Sequence, residues 1–247
     1  MSAASRVLAH GRFELVGSLR NGEQLLVSLV LPALVLVGLG AWDTVMLTLP
    51  EGAARIDVVV PGVLALAIVS AGFTSLAIAT AFERRWGVLR QLATTPLGPS
   101  GIVAGKSLGV AALVVAQCAV LGALGFATGW RPDLAAWPAA VALVALGVAT
   151  FTCLGLLVAA TLRAEGVLAV ANLAWVLMAA GGGLVLPLDS LPSGLASAVS
   201  LLPSGALGEG LRDALIDGSA PVAQILTLAA WSVVSALAAR RWFRPSE

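Results

Sequence analysis

The charged residues of this chain are confined to short patches. Between them lie uncharged windows at 24–42, 58–82, 107–130, 134–162, 166–188, 190–208 and 218–239, each at least 19 residues long. A membrane-spanning helix needs about 20 mainly apolar residues to cross roughly 30 Å of hydrocarbon. Nearly the whole chain is therefore patterned for a bilayer, which excludes most soluble-enzyme classes. The composition agrees: 59% hydrophobic and 11% charged residues, where an average soluble domain is about 25% charged. The 247 residues read as one all-α polytopic membrane domain with no room for a soluble partner domain.

Six windows read as spans, at about 24–41, 58–81, 108–128, 136–160, 166–186 and 221–239. The window 190–208 is different. It carries Pro192 and Pro203, with Gly194, Gly205, Gly208 and four serines, so a helix through it would be broken twice. We read the region 187–220 as a re-entrant or interfacial helical segment. Basic residues test the count. With six spans both termini share one side, and that side collects 11 of the 14 basic residues; Arg55, Arg131 and Arg212 are left on the other. The expected orientation puts both termini in the cytoplasm. Trp42, Trp86, Trp130, Trp137 and Trp242 fall near span ends, as interfacial aromatics do, while Trp175 and Trp231 read as packing residues.

Residues 1–23 carry five charges and no apolar run of the kind a signal peptide needs. Within them, Leu8, Phe13, Leu15, Val16 and Leu19 approximate one helical face beside Arg6, Arg12 and Arg20. Such a helix can lie in the headgroup plane of an anionic leaflet. We expect that placement over a cytosolic helix packed on the protein.

The spans contain no Asp, Glu, Lys, Arg or His, which argues against ion-coupled transport and against intramembrane proteolysis. The single histidine, His10, precedes the first span without metal-ligand neighbours, and nothing in the pattern points to a metal, a cofactor or nucleic acid. Residues Gly101 to Ser107 imitate a P-loop, but only three residues separate Gly101 from Gly105, where wrapping a phosphate needs four. Gly101, Gly105 and Gly109 instead share one helix face and permit close helix approach, with Lys106 marking the inner edge of the third span. Cys118 and Cys153 read as small packing residues. Polar residues at membrane depth, among them Gln117, Asn172 and Thr74, have two readings: interhelical hydrogen bonding, or the lining of a translocation path.

The richest polar segment follows the second span. It runs from Phe82 to Leu97, and Gly105-Lys106 lies shortly beyond. The order of Glu83, Arg84 and Arg85, then Gly87, Leu89, Leu92, and Thr95-Pro96, resembles the inner loop of type-2 ABC transporter permeases. The N-terminal amphipathic helix, the six spans and the proline-punctuated outer segment fit that layout. The run from Leu201 to Glu209 is similar to actinobacterial multidrug-type permeases. The resemblance implies a half-transporter that exports a lipophilic or amphiphilic substrate from a bacterial cell. It would pair with a second copy or a paralogue, bind two separate ABC ATPase subunits that carry ATP and Mg, and couple to them through Glu83, Arg84, Arg85, Gly87, Leu89, Leu92, Thr95 and Pro96. Residues 82–107 would form the coupling loop. A non-transporting membrane scaffold is the alternative reading.

Overall fold

The computed structural model describes residues 2–41, 49 and 52–242. The expected interfacial position of Trp42, and the charges at Asp43, Glu51 and Arg244, fall outside them. Ser2 caps helix α1 (Ala3–Arg20) by accepting from the Ser5 N–H at 3.2 Å. Asn21 then leaves helical geometry and caps α2 (Gly22–Gly40), accepting from the Gln24 N–H at 3.2 Å, so the two helices meet at a break. The chain continues through α3 (Arg55–Arg85), the short α4 (Val88–Ala93), α5 (Gly98–Ala127), α6 (Trp137–Thr161) and α7 (Ala164–Gly181). It closes with α8 (Ser193–Ser200), α9 (Pro203–Leu215) and α10 (Val222–Trp242). The described residues contain no strand. Six helices are long and apolar enough to cross a membrane: α2, α3, α5, α6, α7 and α10. The all-α, six-span expectation is met.

α3 is the axis of the bundle. It is almost wholly buried and touches α2, α5, α6, α7 and α9, whereas α2, α7 and α10 turn most of their surface outward. Apolar burial does not drive helix association in hydrocarbon, so close packing must do so. Small residues provide it: a Cβ at Gly155 of α6 would stand 2.8 Å from the Gly72 carbonyl oxygen of α3. Polar residues join in as well. Trp175 Nε1 donates to Ser70 Oγ at 2.7 Å, and Thr150 and Ser232 share a hydrogen bond of 2.6 Å between α6 and α10. Cys118 and Cys153 are free thiols.

Two π-helical turns, Leu26–Val30 in α2 and Ser70–Ser75 in α3, pack against each other. The first precedes Pro32, which has no N–H to give the Ser28 carbonyl. The wider turn, with the Leu31 N–H reaching the Leu26 carbonyl, accommodates the ring.

The segment between α7 and α10 contains a pair of short helices. At 1.5 Å per residue, α8 and α9 are about 12 Å and 20 Å long, too short to cross alone. α7 ends at Gly181, and Gly183 then adopts φ +78. Arg212 of α9 reaches back to this end. It donates to the carbonyls of Gly183 (2.9 Å), Leu184 (2.6 Å) and Val185 (3.2 Å) and pairs with Glu209 at 2.7 Å. A helix C-terminus leaves carbonyls without partners, and here one buried guanidinium supplies the donors. Arg212, expected on the opposite side from the termini, is only 4% exposed within the fold. The glycines after α7 serve the same junction. A Cβ at Gly208 would collide with the Gly183 carbonyl, so the close approach that Gly183 allows is to α9 of its own chain.

Candidate functional site

The charged end of the bundle gathers four helices around three consecutive residues. Glu83, on the last turn of α3, meets Lys106 Nζ at 2.9 Å through Oε1 and 2.7 Å through Oε2. Lys106 also donates to Glu14 of α1 at 2.9 Å. Arg84 donates to the Ala160 carbonyl at 2.6 Å and to the Leu162 carbonyl, capping the end of α6. Arg85 pairs with Glu165 in the first turn of α7. One turn of α3 is therefore bonded to α5, α6 and α7 separately, and is linked to α1 through Lys106.

Lys106 corrects the sequence reading. α5 begins at Gly98, so residues 98–107 are its first turns and not a loop, and Lys106 lies inside the helix at 1% exposure. A buried ammonium is tolerable only when paired, and two carboxylates from distant sequence positions pair it. The P-loop-like run is helical throughout and forms no phosphate-wrapping loop. Gly105 and Gly109 allow close approach as expected, and their partner is α1, whereas Gly101 faces Leu97 of the preceding turn. A Cβ on Gly105 would collide with the His10 ring, and one on Gly109 would stand 2.7 Å from Glu14 Cβ. α1 thus packs on the protein through Gly11, Glu14 and His10, while Leu8, Phe13, Val16 and Leu19 stay exposed. Leu15, expected on the apolar outer face, packs against the core. Burial lowers the pKa of His10; Glu14 opposes the shift and Lys106 adds to it, so the ring is neutral at neutral pH.

Beyond the triplet, Gly87 takes φ +77, a left-handed turn that side-chain-bearing residues rarely adopt. It redirects the chain into α4, which rests on α3 and α5. Leu89 is its buried anchor, Leu92 is half-buried, and Arg90 and Gln91 face outward. Thr95 Oγ1 bonds the Leu92 carbonyl at 2.6 Å and receives the Leu97 N–H at 3.4 Å, making the turn that carries exposed Pro96 into α5. Residues 83–97 are thus a firmly seated helix-and-turn, with Trp86 70% exposed beside it.

The three path candidates do not converge. Thr74 and Gln117 are buried, and neither the Thr74 hydroxyl nor either Gln117 amide atom has a hydrogen-bond partner. Asn172 faces outward from α7. None of the three lines an apolar groove of about 540 Å³ bounded by Val35 and Gly38 of α2, Leu66 of α3, and Trp175, Val176 and Ala179 of α7.

Sequence reasoning did not pick out Glu14 and Glu165 as partners of the loop. A lone basic residue in a glycine-spaced apolar run was the available signal for a buried charge needing carboxylates. The described residues contain no group of His, Cys, Asp and Glu able to hold a metal. A search of curated proteins finds no match to the chain. A family model described as ABC-2 family transporter protein matches residues 25–240, from the first span to the last, and the chain belongs to that family, as a membrane permease subunit of an ABC transporter.

Proposed function

We propose that this permease is half of an exporter driven by separate ATPase subunits, which bind the ATP and Mg, and that α4 with its flanking turns is where they push. The observation that carries this reading is the Glu83-Arg84-Arg85 triplet. A force on α4 passes to α3 through a short turn, and α3 is bonded at that level to α5, to α6 and to α7, with α1 joined through Lys106 of α5. Such a joint moves spans together as rigid bodies, as hinge and shear transitions require. The triplet and the α4 helix would face the cytoplasm with both termini, in the cell membrane of a bacterium.

The groove supports the second half of the proposal. It lies between α2 and α7, which are poorly covered by their own chain. A second copy or a paralogue seated there would close it, giving an apolar path suited to lipophilic or amphiphilic cargo, and would bring Asn172 toward that boundary. Closed two-fold pairing is the commonest oligomeric arrangement. Thr74 and Gln117, buried without hydrogen-bond partners, are polar groups free to pair when the helices shift.

The test is to purify the chain with ABC ATPase subunits co-expressed from the same cell and to measure hydrolysis in proteoliposomes against amphiphilic ligands. A stable complex with ligand-stimulated hydrolysis is expected. A chain that recruits no ATPase would favour the scaffold reading.

A further inference from the structure

α1 has two faces of opposite use. Its inner face, with Gly11 and Glu14, is locked to α5. Its outer face interleaves Leu8 (60% exposed), Phe13 (71% exposed), Val16 and Leu19 with exposed Arg12 and Arg20 and half-buried Arg6. Its only carboxylate is Glu14, and that side chain is turned inward onto Lys106. The outer face is therefore apolar and positive with no negative charge. That combination matches one surface, an anionic phospholipid leaflet: acyl chains for the apolar side chains and phosphates for the guanidinium groups.

We propose that the outer face of α1 is a receptor for anionic phospholipid, and that its occupancy is relayed through Glu14, Lys106 and Glu83 to α4, making the lipid a regulator of coupling. The relay is short and continuous. The Lys106 ammonium is fully buried and shared between one carboxylate on the lipid-facing helix and one on the turn that leads into α4. Any shift of α1 that carries Glu14 away leaves Lys106 to Glu83 alone, so the position of α1 and the setting of α3 at Glu83 are linked through one ion. The glycine contacts make the linkage close: with no side chain on Gly105 or Gly109, His10 and Glu14 of α1 pack directly against the α5 backbone. Ligand binding can shift such a joint only by its preference for one setting; each arginine adds roughly fivefold to the affinity of the setting that brings it to an anionic surface.

The inference rests on reading α4 as the element that faces the ATPase, but its test needs no ATPase. The full chain is placed in nanodiscs of phosphatidylcholine alone or with phosphatidylglycerol, and backbone hydrogen exchange is followed in α1 and α4. Phosphatidylglycerol is expected to slow exchange several-fold in both helices. Arg6→Gln/Arg12→Gln/Arg20→Gln should abolish both responses. Glu14→Met, which leaves Lys106 paired with Glu83, should keep the α1 response and lose that of α4; if it fails to fold, Glu83→Met cuts the other arm and leaves Lys106 with Glu14. An α1 indifferent to phosphatidylglycerol would overturn the receptor. An α4 response unchanged in Glu14→Met or Glu83→Met would overturn the relay. If both effects hold but no ATPase binds, the coupling reading fails and the lipid site stands.

Discussion

Arg212→Met removes the guanidinium that ties α9 to the end of α7. Methionine keeps the length and apolar bulk of the side chain, so little cavity is left and the loss is polar. Three carbonyls, of Gly183, Leu184 and Val185, lose donors now at 2.6 to 3.2 Å. A buried acceptor left unmade costs about 1–3 kcal/mol. Glu209 loses its partner too, but it keeps the Leu188 N–H at 2.8 Å and has some access to water. These terms are not additive, and the cost of breaking a buried pair, about 3–5 kcal/mol, bounds them. For a chain of this size each kcal/mol moves the thermal midpoint by about 2–4 °C, so a fall on the order of 10 °C is expected. Arg212→Lys should fall between, because one ammonium cannot span three carbonyls and a carboxylate. The assay is the loss of the monodisperse peak in size-exclusion chromatography after heating in detergent. A midpoint within about 2 °C of wild type would refute the argument that this side chain holds the outer segment.

Gly105→Leu should expel α1 from α5, since even a Cβ there collides with His10; α1 amides would then exchange at the rate of an undocked helix, and unchanged protection would count against the docking. Burial, with the Glu209 and Asp217 carboxylates adding to it, pushes the Asp213 pKa up from 3.8 to about 6. Its folded value lies above the unfolded one, so folding favours the protonated form, and stability present at low pH falls as pH rises through about 4 to 6. Asp213→Asn, which can still accept from Gln224, should therefore raise the thermal midpoint at pH 7.5 and add nothing well below pH 4, read as midpoint against pH; parallel curves for the two proteins would contradict this. Single cysteines at Gly38 and at Val176, in a chain with Cys118 and Cys153 replaced, should form disulfide-linked dimers in oxidised native membranes, whereas cysteines on the buried face of α3 should not. Monomer at both groove positions would move the subunit contact elsewhere.

The six spans were legible because membrane helices must keep charge out of long apolar runs, and α3, α6 and α10 show that pattern plainly. The outer segment was legible as non-spanning because Pro192 and Pro203 break it. What was not legible were the partners of the buried charges. Lys106 reads as a boundary in one dimension, but Glu14 and Glu83 neutralise it from 92 and 23 residues away, which lets it sit inside α5. Arg212 has the same difficulty in a sharper form, since most of its partners are backbone carbonyls 27 to 29 residues back that no residue identity announces. α1 was legible as amphipathic, but its docking face was not. That face depends on Gly11 matching the glycines of α5, a fit that exists only once both helices are in place. The loop order from Glu83 to Pro96 was the most informative local signal, and the structure adds what Glu83, Arg84 and Arg85 hold.

The central claim, that the turn at residues 83–85 transmits movement between α4 and the spans, is tested most directly at Arg85 and Glu165. Both are more than half exposed, so their pair contributes no more than about 1 kcal/mol to stability and reversal should not unfold the protein. The measurement is substrate transported per ATP hydrolysed, in proteoliposomes holding the permease and its ATPase. Arg85→Glu should lower that ratio while leaving expression and ATP hydrolysis in place, and Arg85→Glu combined with Glu165→Arg should restore it. An unchanged ratio in Arg85→Glu, or a loss that the paired reversal leaves uncorrected, would contradict the account.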